Sequence, residues 1–262
     1  MNEKVFISGS IAIKSLPQEV CKRLEKIMEK NMQVLVGDAS GIDCLIQNFF
    51  KDKDYDNITV YSIYPEPRNI SSRKFRIETI NVSDDVKKER ERQQFKDKQM
   101  SEDSDYSLII WDGKSKGSFT NIIRALKLNK KIVVYLSKEQ RFLPKDKCII
   151  PEIEFIYREN VGYTTSEILE YFQKEGIKDF TSVKDLHQFL IKNNIIVKNE
   201  KKYEPHSSLE KAEVDKYFIK TQYKGKDTGL NYTNDLIDLI DKIIKTPDTD
   251  KYPPKQEDLF DN

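Results

Sequence analysis

The first half of the chain alternates short β-branched or aromatic runs with stretches of helical periodicity, and this alternation limits its fold more than any other feature. The apolar runs occupy 5–10, 33–36, 58–63, 107–111 and 131–136. Most stretches between them repeat apolar residues every three or four positions, as Val20, Leu24 and Ile27 do, which is typical of amphipathic helices. Strands joined by helices pair in parallel. We therefore predict an α/β, Rossmann-like, doubly wound parallel sheet over residues 1–138.

Charge, cysteine and histidine content exclude several classes of protein. Lys and Arg number 45 and Asp and Glu 44, a net charge of +1, so the balance gives no general argument for a nucleic-acid or membrane partner. Cys21, Cys44 and Cys148 form no CxxC motif, and His187 and His206 are the two histidines. Disulfide scaffolds and zinc sites are thereby disfavoured. We expect a cytoplasmic protein with no metal, no resident cofactor and no membrane partner.

The second half changes character and predicts a smaller domain. Residues 139–163 have the composition of a linker, with one extra strand considered at 154–157. From 164 to 246 the pattern is helix, helix, strand, strand and helix, which predicts a small α+β, winged-helix-like domain. Residues 247–262 are rich in proline and acidic residues and are predicted to be disordered.

Candidate ligand contacts follow three of the predicted strands. In a doubly wound sheet the ligand lies beyond the carboxyl ends of the strands, where helix N-termini bind phosphate. Here each strand ends in a turn of small residues that leads into a helix. The candidates are Gly9 and Ser10 after the first strand, Gly37, Asp38, Ala39, Ser40, Gly41 and Asp43 after the second, and Gly113, Ser115, Gly117, Ser118 and Thr120 after the fourth.

Two aspartates among these candidates have two possible roles. Asp38 or Asp43 could accept hydrogen bonds from a ribose, or could instead hold the loops together. The chain has neither a GxxxxGKS/T P-loop nor a GxGxxG fingerprint. A P-loop ATPase or a standard NAD dehydrogenase is therefore disfavoured.

Three motifs together resemble the SLOG superfamily, which includes DprA/Smf, the "lonely guy" phosphoribohydrolases and YspA-like proteins. They are residues 6–10, 34–43 and 105–118, and the resemblance extends over about residues 4–137. In addition, Arg92, Lys96, Asp97 and Met100 match an Arg-x-x-x-Lys-Asp-x-x-Met segment of the YspA-like branch. Arg92 and Asn121 are further candidate contacts to the nucleotide. The resemblance implies a domain that binds a nucleotide or a nucleotide-derived ligand, in either a sensor or a nucleoside-bond-cleaving enzyme.

One departure from the superfamily bears on catalysis. The phosphoribohydrolase branch carries a glutamate in PGGxGTxxE, and Asn121 stands at that position here. An asparagine cannot act as a general base, so the sequence favours binding over hydrolysis. The arginine-rich insert at 65–100 could close over the ligand as a lid.

The predicted function is nucleotide sensing by a homo-oligomeric regulator whose C-terminal domain is an output or DNA-binding domain. The candidate nucleic-acid contacts are Lys192, Lys198, Lys201 and Lys202, for which a solvated face is an equal alternative. The alternative function is cleavage of an N-glycosidic bond by a nucleoside deoxyribosyltransferase-like, NAD or nucleotide hydrolase, acting as an antiphage toxin. A carboxylate beside Gly117 would favour this enzyme, whereas amides and hydroxyls alone would favour the sensor.

Overall fold

A computed structural model describes residues 3–200, 202–223 and 226–246. The chain divides into two compact units, Met1–Asn160 and Val161–Asn262. The predicted disordered tail at 247–262 and the candidate Lys201 lie outside the described residues. Within the described ranges, none of the helices has the length and apolar character that crossing a bilayer requires.

The first unit is a seven-stranded sheet flanked by helices. Its elements are β1 Lys4–Gly9, α1 Gln18–Glu29, β2 Gln33–Val36, α2 Ile42–Asp52, β3 Ile58–Ser62, β4 Arg76–Thr79, α3 Glu89–Asp103, β5 Tyr106–Trp111, α4 Lys116–Lys127, β6 Lys131–Leu136, β7 Arg141–Phe142 and α5 Ile150–Val161. The strand order is β4-β3-β2-β1-β5-β6-β7, and every pair is parallel except β6 with β7. This arrangement confirms the predicted Rossmann-like α/β fold.

The strand order places a crevice between β1 and β5. From β1 the chain winds outward through β2, β3 and β4, and then returns to add β5 on the other side of β1. Where the direction of winding reverses, the loops that follow the two central strands diverge and leave room for a ligand. The loops after β1 and β5 carry two of the three predicted motifs.

Apolar residues cover both faces of the sheet. On one face, Leu24 of α1 and Ile46 and Phe50 of α2 pack against the strands in the larger cluster. On the other face, Met100 of α3 joins a smaller cluster with Phe6, Leu35 and Tyr61. The charged run at 84–98 lies largely within α3, which buries Lys96, Met100 and Ser101.

Residues 139–163 do not form the linker that the sequence predicted. The expected linker contains β7 and the helix α5, and the strand considered at 154–157 lies inside that helix. Ile153 and Tyr157 of α5 are buried, and the Tyr157 ring stacks on Phe119 of α4 with centroids 4.2 Å apart. The segment is therefore mostly part of the first unit, and its mixed composition concealed a helix.

The second unit has its own apolar core and two hairpins. Its elements are α6 Thr165–Lys174, α7 Val183–Lys192, β8 Ile196–Asn199, β9 Lys202–Pro205, α8 Lys211–Tyr217, β10 Phe218–Tyr223, β11 Lys226–Tyr232 and α9 Asn234–Lys245. The two strands predicted in this domain form as β8 and β10, but each pairs within a separate hairpin. Thr233 caps α9 by accepting a hydrogen bond from the amide of Leu236.

Candidate ligand-binding site

A pocket of about 350 Å³ opens at the carboxyl ends of β1 and β5. Residues after β1, β2 and β5 line it together with the inner side of α3. The lining residues are Phe6, Ser8, Gly9, Ser10, Ile11, Ala39, Asp43, Arg68, Arg90, Gln93, Lys96, Asp97, Met100, Ser115, Lys116, Gly117, Ser118 and Asn121.

The pocket gathers candidates from all three predicted turns. Those that line it are Gly9, Ser10, Ala39, Asp43, Ser115, Gly117, Ser118 and Asn121. Those that do not are Gly37, Asp38, Ser40, Gly41, Arg92, Gly113 and Thr120. Most residues of the second group maintain the shape of the surrounding loops.

Arg92, Gly41 and Thr120 illustrate this supporting role. Arg92 points away from the pocket and donates to the carbonyls of Ser83 and Val86, at 3.5 and 3.4 Å. Gly41 has a φ of +77°, and a Cβ there would meet the main chain of Ile11, so only glycine suits the turn before α2. Thr120 donates its hydroxyl to the carbonyl of Lys116.

Asp38 holds the loops together. Its carboxylate is fully buried and accepts hydrogen bonds from Arg68 Nη2 at 2.7 Å and Lys96 Nζ at 2.8 Å. The hydroxyl of Ser62 also donates to it, at 2.8 Å. Burial alone would raise the pKa of Asp38, but the hydrogen bond from Arg68 and the charge of Lys96 hold that pKa well below its ordinary value. Of the two interpretations left open by the sequence, the structural one fits Asp38.

Asp43 faces the pocket. It is 9% exposed, and its Oδ2 atom accepts a hydrogen bond from the amide of Ala39 at 3.1 Å. Burial raises the pKa of Asp43 to about 7, although the charge of Lys96 opposes this shift and that of Asp97 adds to it. The group therefore titrates near neutral pH and can donate or accept a hydrogen bond inside the pocket.

Asp97 is a second pocket carboxyl. It lies on α3 next to Lys96 and lines the pocket together with Asn121, whose amide donates to the hydroxyl of Ser8 at 3.4 Å. Burial raises the pKa of Asp97, while the charges of Lys96 and Arg124 lower it. This carboxyl therefore lines the same pocket as Gly117 of α4.

The first turn of α4 adjoins the pocket, and its main-chain amides have no acceptor among the described residues. The N-cap residue Ser115 makes no side-chain cap, and its hydroxyl donates instead to that of Ser118 at 2.9 Å. The amides of Lys116, Gly117 and Ser118 belong to the first turn, where a helix supplies no acceptor. A Cβ on Gly117 would meet nothing within 4 Å, so open space adjoins this turn.

Asp112 shapes this turn and joins it to β1. Its Oδ1 atom accepts from the amides of Lys114 and Ser115, at 3.0 and 2.7 Å, and its Oδ2 atom accepts from the hydroxyl of Ser10 at 2.7 Å. Burial would raise the pKa of Asp112, but the hydrogen bonds from Ser10 and Ser115 lower it overall. The turns after β1 and β5 are thereby fixed next to each other.

Two exposed cations complete the rim. Arg90 projects from the first turn of α3 and Lys116 from the first turn of α4. Within the described part of the chain, neither forms an ion pair. Cations without an acidic partner, next to free amides and the positive end of a helix dipole, form an anion-binding environment.

Sequence reasoning from the strand ends missed the contribution of α3. Gln93, Lys96, Asp97 and Met100 are spaced so that they share one side of a helix, and that side lines the pocket. The resemblance to the YspA-like segment named three of them, but the high charge of the run concealed the periodicity. No three of the described His, Cys, Asp and Glu side chains gather as a metal site.

Among the described candidate lysines of the second unit, Lys198 and Lys202 lie on opposite faces of one hairpin. Lys192 lies at the end of α7, and in the β8–β9 hairpin Lys198 pairs with Tyr203 while Asn199 pairs with Lys202. Neighbouring pairs of a hairpin project to opposite faces, so Lys198 and Lys202 point to opposite sides. A contact with nucleic acid stays a prediction.

Comparisons with known proteins concern the fold. No protein-family model matches the chain, and no curated protein is significantly similar to it. Among solved structures, the chain is similar to the molybdenum cofactor binding protein from the phototrophic bacterium Rippkaea orientalis, with a TM-score of 0.42, 10% identity and coverage of 66% of this chain and 97% of that chain. It is also similar to the Moco carrier protein from Chlamydomonas reinhardtii, with a TM-score of 0.36, 13% identity and the same coverages, 66% and 97%.

Proposed function

We propose that the first unit binds a nucleotide or a nucleotide-derived phosphate ligand and acts as a sensor or regulator. The observation that carries this proposal is the free first turn of α4 beside the unpaired Arg90 and Lys116. A phosphate on this turn would accept hydrogen bonds from the amides of Gly117 and Ser118 and would be neutralised by the two cations.

The rest of the pocket suits the sugar of such a ligand. Asp43, Asn121 and Ser10 present oxygen and nitrogen atoms that can exchange hydrogen bonds with ribose hydroxyls. The volume of about 350 Å³ lies in the range of small-ligand pockets. We take a nucleoside monophosphate and ADP-ribose as the probes that represent this chemistry.

Native mass spectrometry of the full-length protein tests the proposal. We expect one equivalent of a phosphate-bearing compound, either retained from expression or added as AMP or ADP-ribose. The single tryptophan, Trp111, donates to the carbonyl of Ser115, so its fluorescence should change with the same ligand. Protein that carries no such mass and shows no fluorescence change with either probe contradicts the proposal.

The same proposal extends to the superfamily of the chain, its location in the cell and the role of its second domain. We propose that the chain is a cytoplasmic SLOG-like protein in which residues 164–246 form a winged-helix-like output domain. The order of the three motifs supports the first part, because each contributes residues to one pocket. The succession of two helices and a hairpin in α6, α7, β8 and β9 supports the second.

A second candidate function is cleavage of an N-glycosidic bond, the activity of a toxin or effector in antiphage defence. The observation that favours it is the pair of pocket carboxyls, since Asp43 and Asp97 line the same pocket as Gly117. In this candidate Asp43 protonates the departing base and Asp97 accepts a proton from the attacking water.

Release of a free base decides between the candidates. The full-length protein is incubated with NAD⁺ or AMP, and free nicotinamide or adenine is separated by chromatography. The enzyme candidate predicts release that Asp97→Asn reduces by about 100-fold or more, as is typical for loss of a general base. Binding of AMP or ADP-ribose without any release of free base would support the sensor function and contradict the enzyme function.

A further inference from the structure

The outer strand of the sheet, β4, is open on both faces. Strands of a parallel sheet are normally covered on both faces by helices. All four residues of β4, Arg76 to Thr79, are nevertheless exposed, and Ile77 is 46% exposed. Its inner edge pairs with β3, and β4 is the last strand on that side of the sheet.

The outer edge of β4 has main-chain groups directed away from β3. The amide of Ile80 donates to the carbonyl of Ser62 on β3 at 2.8 Å. Main-chain groups alternate in direction along a strand, so those of Glu78 and Arg76 also point to β3. The amide and carbonyl groups of Ile77 and Thr79 therefore point outward, where no strand of the described residues pairs with them.

The side chains of β4 are complementary to those of a second β4. Arg76 and Glu78 pair with Thr59 and Tyr61 and share their face of the sheet, while Ile77 lies on the other face. If two copies pair antiparallel with Ile77 on the two-fold axis, Arg76 of each copy stands opposite Glu78 of the other. The same register sets Ile77 opposite Ile77.

This register also satisfies the free main-chain groups. In an antiparallel ladder the outward-pointing residues form the hydrogen-bonded pairs. With Ile77 on the axis, the two Ile77 residues exchange both hydrogen bonds across the interface. β4 carries no proline or lysine that would block such pairing.

We propose that β4 is a self-association edge, through which two copies of this chain form one continuous sheet about a two-fold axis. The occupant is a second copy because the charges of Arg76 and Glu78 complement each other only after a two-fold rotation. The strand is short, so the dimer is weak and its population depends on concentration. The proposal is independent of the ligand that the pocket binds.

Sedimentation velocity of the full-length protein over a concentration series tests the proposal. We expect the average mass to rise from the 30.8 kDa of the chain toward twice that value. Arg76→Glu and Glu78→Arg each bring like charges opposite one another in both symmetric pairs, so each should raise the dimer dissociation constant by about tenfold. The double variant reverses both pairs and should restore the wild-type value.

Two further variants serve as controls, one for the change of charge and one for the loss of the outward amide. Lys26→Glu, on the exposed side of α1, makes the same charge change as Arg76→Glu and should leave the dimer intact. Ile77→Pro removes an outward amide that β3 does not need, so it should give a folded monomer. A wild-type monomer at every concentration overturns the proposal, and so does a dimer that the single variants leave unchanged or that the double variant fails to restore.

Discussion

Asp38 and Asp43 belong to one motif and are both buried, but their pKa values shift in opposite directions. Asp38 is surrounded by the donors of Arg68, Lys96 and Ser62 and stays ionised. Asp43 is buried too, but it receives one amide hydrogen bond, from Ala39, and its pKa rises to about 7. The sequence placed both at the end of a strand and could not distinguish them, because the difference comes from partners that lie 24–58 positions away from Asp38.

We predict that Asp43→Asn makes stability less dependent on pH. The pKa of Asp43 rises from 3.8 to about 7 on folding, so the folded protein binds more protons between these values. Its contribution to the free energy of unfolding is complete below pH 3.8 and is lost as the pH rises through about 7. Urea denaturation between these limits should show the wild type losing up to about 1.4 kcal/mol per pH unit from this group, and the variant lacking that loss.

A matched variant separates this effect from general charge removal. Asp52→Asn, at the exposed end of α2, should keep the pH dependence of the wild type. Asp97 has a raised pKa as well and contributes in the same direction in all three proteins. Equal slopes for wild type and Asp43→Asn would mean that Asp43 is ionised throughout this range.

At the scale of elements, α3 is where composition misled most. A run dense in Lys, Glu and Arg usually indicates a solvated helix, but α3 buries Lys96, Met100 and Ser101. Lys96 is charged, yet only 3% of its side chain is exposed, and its ammonium group contacts Asp38. A single buried cation thus ties α3 to the loop after β2 and forms part of the pocket wall.

Lys96→Met is predicted to destabilise the first unit by about 3 kcal/mol or more. Breaking a buried ion pair by removing one partner leaves an uncompensated charge. Here Asp38 would lose one of its cationic partners and keep Arg68, and Asp43 would lose the positive charge that opposes its raised pKa. The control is Lys98→Met on the same helix, whose exposed pair with Glu102 should contribute less than about 1 kcal/mol. Urea unfolding that gives equal small losses for both variants would contradict the role of Lys96.

The geometry of the β8–β9 hairpin predicts how strongly the affinity for nucleic acid should depend on salt. Because Lys198 and Lys202 face opposite ways, a duplex on one face of the hairpin would contact one of them, which with Lys192 gives two contacts from the described candidate lysines. The logarithm of affinity should then fall with the logarithm of salt concentration with a slope near −2, by the factor of about 0.9 per phosphate contact. A gel-shift series at increasing salt measures it, and no retardation at low salt would remove the nucleic-acid role.

At the scale of the whole molecule, the sequence predicted best what local patterns determine. The α/β order, the parallel sheet and the turns after β1, β2 and β5 follow from periodicity and glycine placement. The helix α5 could not be predicted, because its packing depends on distant residues such as Phe119. The strands β9 and β11, which complete the hairpins of the second unit, have mostly polar sequences, so apolar periodicity did not indicate them. For the same reason the strand ends indicated one side of the pocket and not the wall formed by α3.

The most direct measurement of the central claim is the affinity of Gly117→Val for ADP-ribose by titration calorimetry. A Cβ at this position meets nothing within 4 Å, so the fold should be retained, while the valine should occupy the space that a phosphate needs on the first turn of α4. Thr120→Val, on the same helix and outside the pocket lining, is the matched control. We predict that wild type and Thr120→Val bind alike and that Gly117→Val binds at least about tenfold more weakly, a difference of about 1.4 kcal/mol. Equal affinity of all three proteins, or no binding by the wild type, would contradict a phosphate site at this turn.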